Sequence, residues 1–123
     1  MSDMTAVVDS YLGAYGETDS ARRRTLIEQS WSPTGTLVDP PLEATGHADL
    51  DAMFVAVQGQ FPGHTFRRTT VIDTHHGKGR YGWDLISPTG SVTLAGTDFV
   101  HFGDDGRLVY TTGFFGPLAP SDG

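Results

Sequence analysis

Two aspartates in contrasting surroundings are the residues of this sequence best suited to proton transfer. Asp39 ends the short extended run 36–39 and is followed by prolines, so water at a turn can keep its carboxylate ionised. Asp98 lies in a strand-like segment and shares a face only with uncharged residues: Leu94, Gly96, Val100 and Phe102. Apolar surroundings raise the pKa of a carboxyl group. One charged and one neutral aspartate would form a pair suited to general acid–base catalysis.

Both aspartates also have a structural explanation, which the sequence alone leaves open. Asp39 stands before Pro40 and Pro41 and could simply accept backbone hydrogen bonds in a turn. A buried Asp98 could be satisfied by a structural hydrogen bond from Tyr11 or from a tryptophan indole. Tyrosines on an apolar helix face are core residues in most proteins, so Tyr11 also needs no catalytic role.

Composition excludes several classes of function. The 123 residues fit one domain, and the formal charge is −7, from 8 basic and 15 acidic side chains. That charge opposes binding to nucleic-acid phosphates, which requires clustered Lys and Arg. The run Arg22–Arg24 spreads around its helix, and we expect it to be a solvated face. The absence of cysteine excludes disulfides, thiolate catalysis and Cys-based zinc sites.

No metal site or membrane attachment is expected. Of the five histidines, His75 and His76 are adjacent and point apart, and His101 has the opposite strand parity to Asp98. No apolar run approaches the ~20 residues of a membrane span. Residues 1–4 lack the basic and apolar segments of a secretory signal, so a cytoplasmic location is predicted.

Hydrophobic spacing predicts three helices in the first half of the chain. The first covers 4–15 with Ser2 or Asp3 as its cap, the second covers 19–30, and the third covers 47–61. From His64 onward the period changes to two. Strands are predicted at 36–39, 64–73, 79–86, 91–102 and 107–115.

This order predicts an α+β fold, a cone-shaped barrel in which three N-terminal helices pack on a curved antiparallel sheet. Residues 1–116 form the single domain, and 117–123 are expected to be a flexible tail. The last strand carries large apolar groups on both faces, including Val109 and Phe115 on one and Tyr110 and Phe114 on the other. One face can line the interior, and the other predicts a homodimer through the outer sheet face.

The order of elements and several motifs resemble the nuclear transport factor 2-like superfamily, in its SnoaL-like and ketosteroid-isomerase-like part. Residues 36–40 and 46–50 are similar to that family's strand, Asp-Pro turn and Gly-led third helix. Residues 96–100 and 104–108 are similar to its last hairpin. The resemblance covers 4–116.

The resemblance implies a site without any cofactor. The Asp of the Asp-Pro pair falls on Asp39, as the base that removes a proton next to a carbonyl. The acid of the oxyanion hole falls on Asp98, eight residues before Gly106, and the donor tyrosine falls on Tyr11. The ligand implied is a small hydrophobic carbonyl compound, handled by an isomerase, cyclase or lyase. The expected pocket wall comprises Tyr15, Trp31, Met53, Phe54, Trp83, Val100 and Phe115.

Two departures favour the general SnoaL-like grouping over steroid chemistry. Trp31 and Phe54 stand where the isomerase has supporting tyrosines, and neither can extend a chain of phenol hydrogen bonds. One alternative function is a noncatalytic dimer that binds a hydrophobic small molecule. A second is an epoxide-hydrolase-like enzyme, which would need Arg68 or Arg80 between the two aspartates. Gly96 occupies the place where that pattern has its arginine.

Overall fold

The structure is a computed structural model that describes residues 3–122. It contains three helices and seven strands. In chain order these are α1 (Met4–Gly16), α2 (Ser20–Ser30), β1 (Trp31–Asp39), β2 (Leu42–Thr45), α3 (His47–Gln60), β3 (Thr65–Arg68), β4 (Asp73–His75), β5 (Lys78–Ile86), β6 (Val92–Phe102) and β7 (Leu108–Phe115).

The helix boundaries follow from local capping. The Asp3 carboxylate accepts from the Thr5 N–H at 3.0 Å and caps α1, whereas Ser2, the other predicted cap, lies outside the described residues. Asp19 caps α2 in the same way, through the Arg22 N–H at 2.9 Å. Gly46, with φ of 87°, precedes α3, a conformation that favours glycine. All three predicted helices are confirmed.

The strands form one sheet in the order β2-β1-β7-β6-β5-β3, with β4 also paired to β5. β5, β6 and β7 make an antiparallel meander, whereas β1 runs parallel to β7. The predicted α+β, cone-like fold class is confirmed. The sheet differs in two details: it is mixed, and it does not close into a barrel. It is mixed because β1 pairs in parallel with β7, and the chain between these two strands forms the long crossover that a parallel pair requires.

Three strand predictions were incomplete. β1 begins at Trp31, directly after α2, with a break in its register before Thr36, so Pro33 lies within this strand. The four-residue β2 was missed, because such a strand is too short to show a period. The predicted strand 64–73 is divided into β3 and β4, because the Thr70 hydroxyl accepts from the Gly82 N–H at 3.0 Å in place of a backbone partner.

The core lies between the helices and the concave face of the sheet. Its fully buried members come from both layers and include Val8, Tyr11, Ile27, Trp31, Leu37, Leu50, Phe54, Val100 and Leu108. None of the helices in residues 3–122 is long and apolar enough to cross a membrane. The described residues after β7 contain no helix or strand, and Gly123, at the end of the predicted tail, lies outside them.

The expectation of a solvated arginine run was wrong for its middle member. Arg23 is buried, whereas Arg22 is exposed. The Arg23 guanidinium donates to the Asp51 carboxylate at 2.6 Å and to the Glu17 carbonyl at 2.9 Å. It therefore joins α2 to α3 and to the end of α1.

These hydrogen bonds of Arg23 predict unequal effects of substitutions at two neighbouring arginines. Arg23→Met should lower the free energy of unfolding by about 1–3 kcal/mol, because it leaves the Asp51 carboxylate without this partner and removes one of the two donors to the Glu17 carbonyl. Arg22→Met should change it by less than about 0.5 kcal/mol, because the Arg22 side chain is 77% exposed. Urea denaturation measures both values, and equal losses would contradict the proposed role of Arg23.

Candidate active site

Four neighbouring strands place Asp39, Gly113, Asp98 and Tyr81 in one row on the concave face of the sheet. Asp98 on β6 is opposite Gly113 on β7 and Tyr81 on β5. Asp39 ends β1 beside Gly113. A Cβ added to Gly113 would lie 2.9 Å from the Asp39 carboxyl carbon and 3.0 Å from Asp98 Oδ1. The two carboxyl groups therefore meet over a glycine, in space that any side chain would fill.

Asp98 is held by two donors from β5. Its Oδ2 accepts from the Tyr81 hydroxyl at 2.7 Å, and its Oδ1 accepts from the Trp83 indole N–H at 3.0 Å. Asp98 is only 3% exposed. A second glycine makes room for the indole, because a Cβ on Gly96 would lie 2.8 Å from Trp83 Cε2. Asp98 is therefore buried and fixed in orientation.

Asp39 is held from the helix layer. Tyr15, on the last turn of α1, donates its hydroxyl hydrogen to Asp39 Oδ2 at 3.0 Å. The other oxygen, Oδ1, is buried and has no hydrogen-bond partner within residues 3–122. A buried carboxylate oxygen without a partner is costly in a core. Its free lone pairs make Asp39 the group best placed to accept a proton.

Burial raises the pKa of both aspartates. Desolvation raises the pKa of Asp39 to about 6, opposed by the hydrogen bond from Tyr15. Desolvation raises the pKa of Asp98 to about 7, opposed by the Tyr81 hydrogen bond and reinforced by the charge of Asp39. Burial also raises the pKa of the Tyr11 and Tyr15 phenols well above 10.0, so both remain neutral donors. At neutral pH, Asp39 is the more ionised aspartate.

Two adjoining cavities meet at Asp39. The larger, which we call the chamber, has a volume of about 220 Å³. Its walls are aromatic (Tyr15, Phe61, Phe66, Trp83 and Phe115) and aliphatic (Pro40, Pro41, Leu42, Val57, Leu85 and Leu94), with Asp39 and Gln60 as the polar groups. The smaller, which we call the hollow, has a volume of about 10 Å³, roughly that of one oxygen atom or water. The hollow is lined by Tyr11, Leu12, Tyr15, Asp39, Phe66, Trp83 and Asp98.

The structure brings some of the predicted site residues together and leaves others apart. Asp39, Asp98 and Tyr11 all line the hollow. Tyr15, Trp83 and Phe115 line the chamber. Four residues expected in the pocket wall pack in the core and line neither cavity: Trp31, Met53, Phe54 and Val100.

Sequence reasoning missed two features of the site. Tyr81 was not singled out, although it has the same strand parity as Trp83. Only the register, which sets Tyr81 opposite Asp98, identifies it as a donor to the carboxyl group. The contact from α1 to Asp39 comes from Tyr15, which was expected only as a pocket residue.

The raised pKa values predict a pH-dependent stability. Unfolded aspartates titrate near 3.8, so between about pH 4 and pH 8 the folded protein retains protons that the unfolded chain has released. The free energy of unfolding should therefore fall as pH rises through this window, by on the order of 3 kcal/mol for each aspartate. Urea denaturation at a series of pH values measures the slope.

Asp98→Asn removes one of these titrations and should flatten the slope. The exposed Asp73→Asn variant is the control and should keep the wild-type slope. If the two variants gave the same pH dependence, Asp98 would not have the raised pKa described above.

The structure resembles proteins that share the predicted fold, although no protein-family model and no curated protein matches the chain. A proposed polyketide cyclase from Sinorhizobium meliloti has 15% identity over 88% of this chain and 93% of that chain, with a TM-score of 0.68. A protein with a ketosteroid-isomerase-like fold from Catenulispora acidiphila, solved in complex with trimethylamine, has 10% identity over 88% and 83%, with a TM-score of 0.69. At these identities the likeness shows the fold alone.

One solved structure is considerably more similar. It is a proposed isomerase of the SnoaL-like family from Agrobacterium tumefaciens strain C58, with 34% sequence identity and a TM-score of 0.86. The match covers 95% of this chain and 100% of that chain. Identity and coverage at this level, together with the shared fold, show that the chain belongs to the SnoaL-like family.

Proposed function

We propose that this protein is a cofactor-independent acid–base enzyme that moves a proton within a small apolar carbonyl compound. The observation that carries the proposal is the position of Asp39. Its carboxyl group lies where the apolar chamber meets the polar hollow, and one of its oxygens has no hydrogen-bond partner within residues 3–122. A base at this boundary can reach the carbon next to a carbonyl whose oxygen points into the hollow.

In this proposal the hollow is the oxyanion hole. Its volume of about 10 Å³ suits a single oxygen atom, and its polar wall includes Tyr11 and Asp98. Tyr11 donates its phenol hydrogen. Neutral Asp98 carries its proton on Oδ1, which retains a lone pair for the Trp83 indole, while Oδ2 still accepts from Tyr81. Asp98 can therefore donate to an enolate without losing either bond.

The proton balance requires no other reactant. Ionised Asp39 removes a proton from the carbon next to the carbonyl; the electron pair of that C–H bond forms a C=C bond, and the π pair of the carbonyl moves onto its oxygen to give the enolate. Tyr11 and Asp98 stabilise the negative charge as it develops. Neutral Asp39 then returns the proton to a different carbon of the conjugated enolate. The product is an isomer of the substrate, and Asp39 regains its charge.

The relatives are consistent with this class of chemistry. The SnoaL-like protein from Agrobacterium tumefaciens is described as a proposed isomerase, and the Sinorhizobium meliloti protein as a proposed polyketide cyclase. The Catenulispora acidiphila structure holds a small molecule, trimethylamine.

No observation favours the epoxide-hydrolase-like alternative. Arg68 pairs with Asp9 at 2.9 Å and Arg80 pairs with Asp73 at 2.9 Å, and neither arginine lines the chamber or the hollow. The noncatalytic alternative uses the same chamber, so a turnover measurement separates it from the enzyme.

Asp39→Asn should abolish proton transfer. For the isomerisation of cyclohex-3-enone to its conjugated isomer, followed by ultraviolet absorbance, we expect kcat/KM to fall by at least about 100-fold, because asparagine cannot accept the proton. The wild-type kcat/KM should rise with pH as Asp39 ionises, with its pKa of about 6, and fall again as Asp98, with its pKa of about 7, loses the proton that it donates to the enolate.

Asp73→Asn is the matched control, because Asp73 pairs with Arg80 at the surface and should not affect turnover. A folded Asp39→Asn variant that retains wild-type turnover would refute the catalytic proposal. Absence of turnover in the wild type, with binding unchanged in Asp39→Asn, would favour the noncatalytic alternative.

We further propose that two copies associate through the outer face of the sheet. Phe99 on β6 and Phe114 on β7 are 44% and 54% exposed and contact each other edge to face, with ring centroids 5.8 Å apart. Tyr110 on β7 is 42% exposed. Large apolar groups exposed together on one sheet face are typical of a protein–protein interface.

Sedimentation equilibrium tests the dimer. The wild type should have twice the chain mass of 13.2 kDa, and Phe114→Glu should return it to 13.2 kDa, because the variant places a charge in the apolar interface. Val71→Glu is the control, since Val71 is 82% exposed and lies outside the strands. A wild type that remains monomeric at tens of micromolar would contradict the proposal.

A further inference from the structure

The chamber is small for the compounds that acid–base enzymes of this kind handle. Its volume is about 220 Å³, below the range of about 300–1,000 Å³ that is usual for drug-sized ligands. An enclosed cavity of about 150 Å³ holds one benzene molecule. If the number of non-hydrogen atoms scales with cavity volume, the chamber holds roughly nine of them. That corresponds to one ring with a short substituent.

One wall of the chamber is formed by a series of contacting aromatic rings, of which Tyr15 and Trp83 are buried and Phe115 is 47% exposed. Successive ring centroids are 4.4 Å apart for Tyr15 and Phe66, 5.3 Å for Phe66 and Trp83, and 5.9 Å for Trp83 and Phe115. The hydrogen bonds of Trp83 to Asp98 and of Tyr15 to Asp39 fix two of these rings. Moving one ring would disturb its neighbours and these hydrogen bonds. Widening the chamber on this side for a larger ligand would therefore cost free energy.

The charge of the lining restricts the ligand further. None of the described residues that line the chamber or the hollow is basic, and both cavities contain Asp39. A substrate that carries a carboxylate or a phosphate would bring negative charge towards the half-buried Asp39 and the buried Asp98 without a compensating cation. The chamber therefore disfavours anionic substrates and substrates bound to a phosphate-bearing carrier.

We infer that the substrates of this site are free, uncharged, one-ring carbonyl compounds, and that fused systems of three or more rings are excluded. This inference rests on the proposed function for the identity of the reacting group. It limits the protein to a much smaller size class than that of steroids or aromatic polyketides. Phe61, at the end of α3, is the wall residue whose removal should relax the limit, because the structure places its ring against that of His64 and outside the series of contacting rings.

Binding of two phenols that differ only in size tests the inference without requiring turnover. A phenol oxygen imitates the enolate oxygen, so 4-ethylphenol and a four-ring phenolic steroid present the same group to the hollow. Apolar burial alone would make the steroid bind much more tightly. We expect calorimetry to show the opposite order, with the steroid at least about tenfold weaker because of overpacking.

Two variants and an anionic probe complete the test. Phe61→Ala should improve steroid binding at least about tenfold and change 4-ethylphenol binding little, whereas Val71→Ala, at an exposed position outside the strands, should change neither. The wild type should bind 4-ethylbenzoate at least about tenfold more weakly than 4-ethylphenol. Tighter binding of the steroid than of 4-ethylphenol by the wild type would overturn the size limit, and equal binding of the benzoate would overturn the charge limit.

Failure of this inference and failure of the proposed function give different results. If 4-ethylphenol is preferred to the steroid but cyclohex-3-enone is not turned over, the size class stands and the isomerase proposal fails. If turnover extends to multi-ring ketones with similar kcat/KM, the isomerase proposal stands and the size limit fails.

Discussion

The approach of the half-buried Asp39 carboxyl group to the buried Asp98 carboxyl group, across Gly113, is the constraint on which the rest of the site depends. Asp39 and Asp98 come from strands on opposite sides of β7, and their side chains meet only because the residue between them has no Cβ. Their burial raises both pKa values, and proximity of the Asp39 charge raises that of Asp98 further. One glycine therefore determines the geometry of the pair and contributes to its electrostatics.

Polar contacts between the helices hold the end of α1, which carries Tyr15, in position. Tyr15 can hold Asp39 only if the end of α1 stays in place. Gln58 on α3 donates to the backbone carbonyls of Tyr15 at 2.7 Å and Glu17 at 2.9 Å, and Arg23 on α2 donates to the same Glu17 carbonyl. These bonds satisfy carbonyl groups that a helix end leaves without partners. The donor to Asp39 thus depends on a structural network that is remote from the chemistry.

The sequence predicted the elements well and the pairings between them less well. Hydrophobic periods and caps located the three helices, because those signals are local. The parallel pairing of β1 with β7, and the register that sets Tyr81 opposite Asp98, depend on residues far apart in the chain. The burial of Arg23 was missed for the same reason, since its partner Asp51 lies on another helix. Cavity walls are also a tertiary property, which is why Trp31 and Phe54 could not be told from wall residues.

The position of the chamber at the ends of several strands determines how molecules reach the aspartates. The chamber is lined by the turn after β1, the last residue of β7, the end of α3 and Phe66 on the edge strand β3, so it lies at the end of the cone where several strands stop. Ligands can enter and leave through this end without the opening of a lid, a step that is slow in many enzymes. Residence time is then governed by the affinity of the aromatic walls. A small ligand that buries little apolar surface would dissociate rapidly.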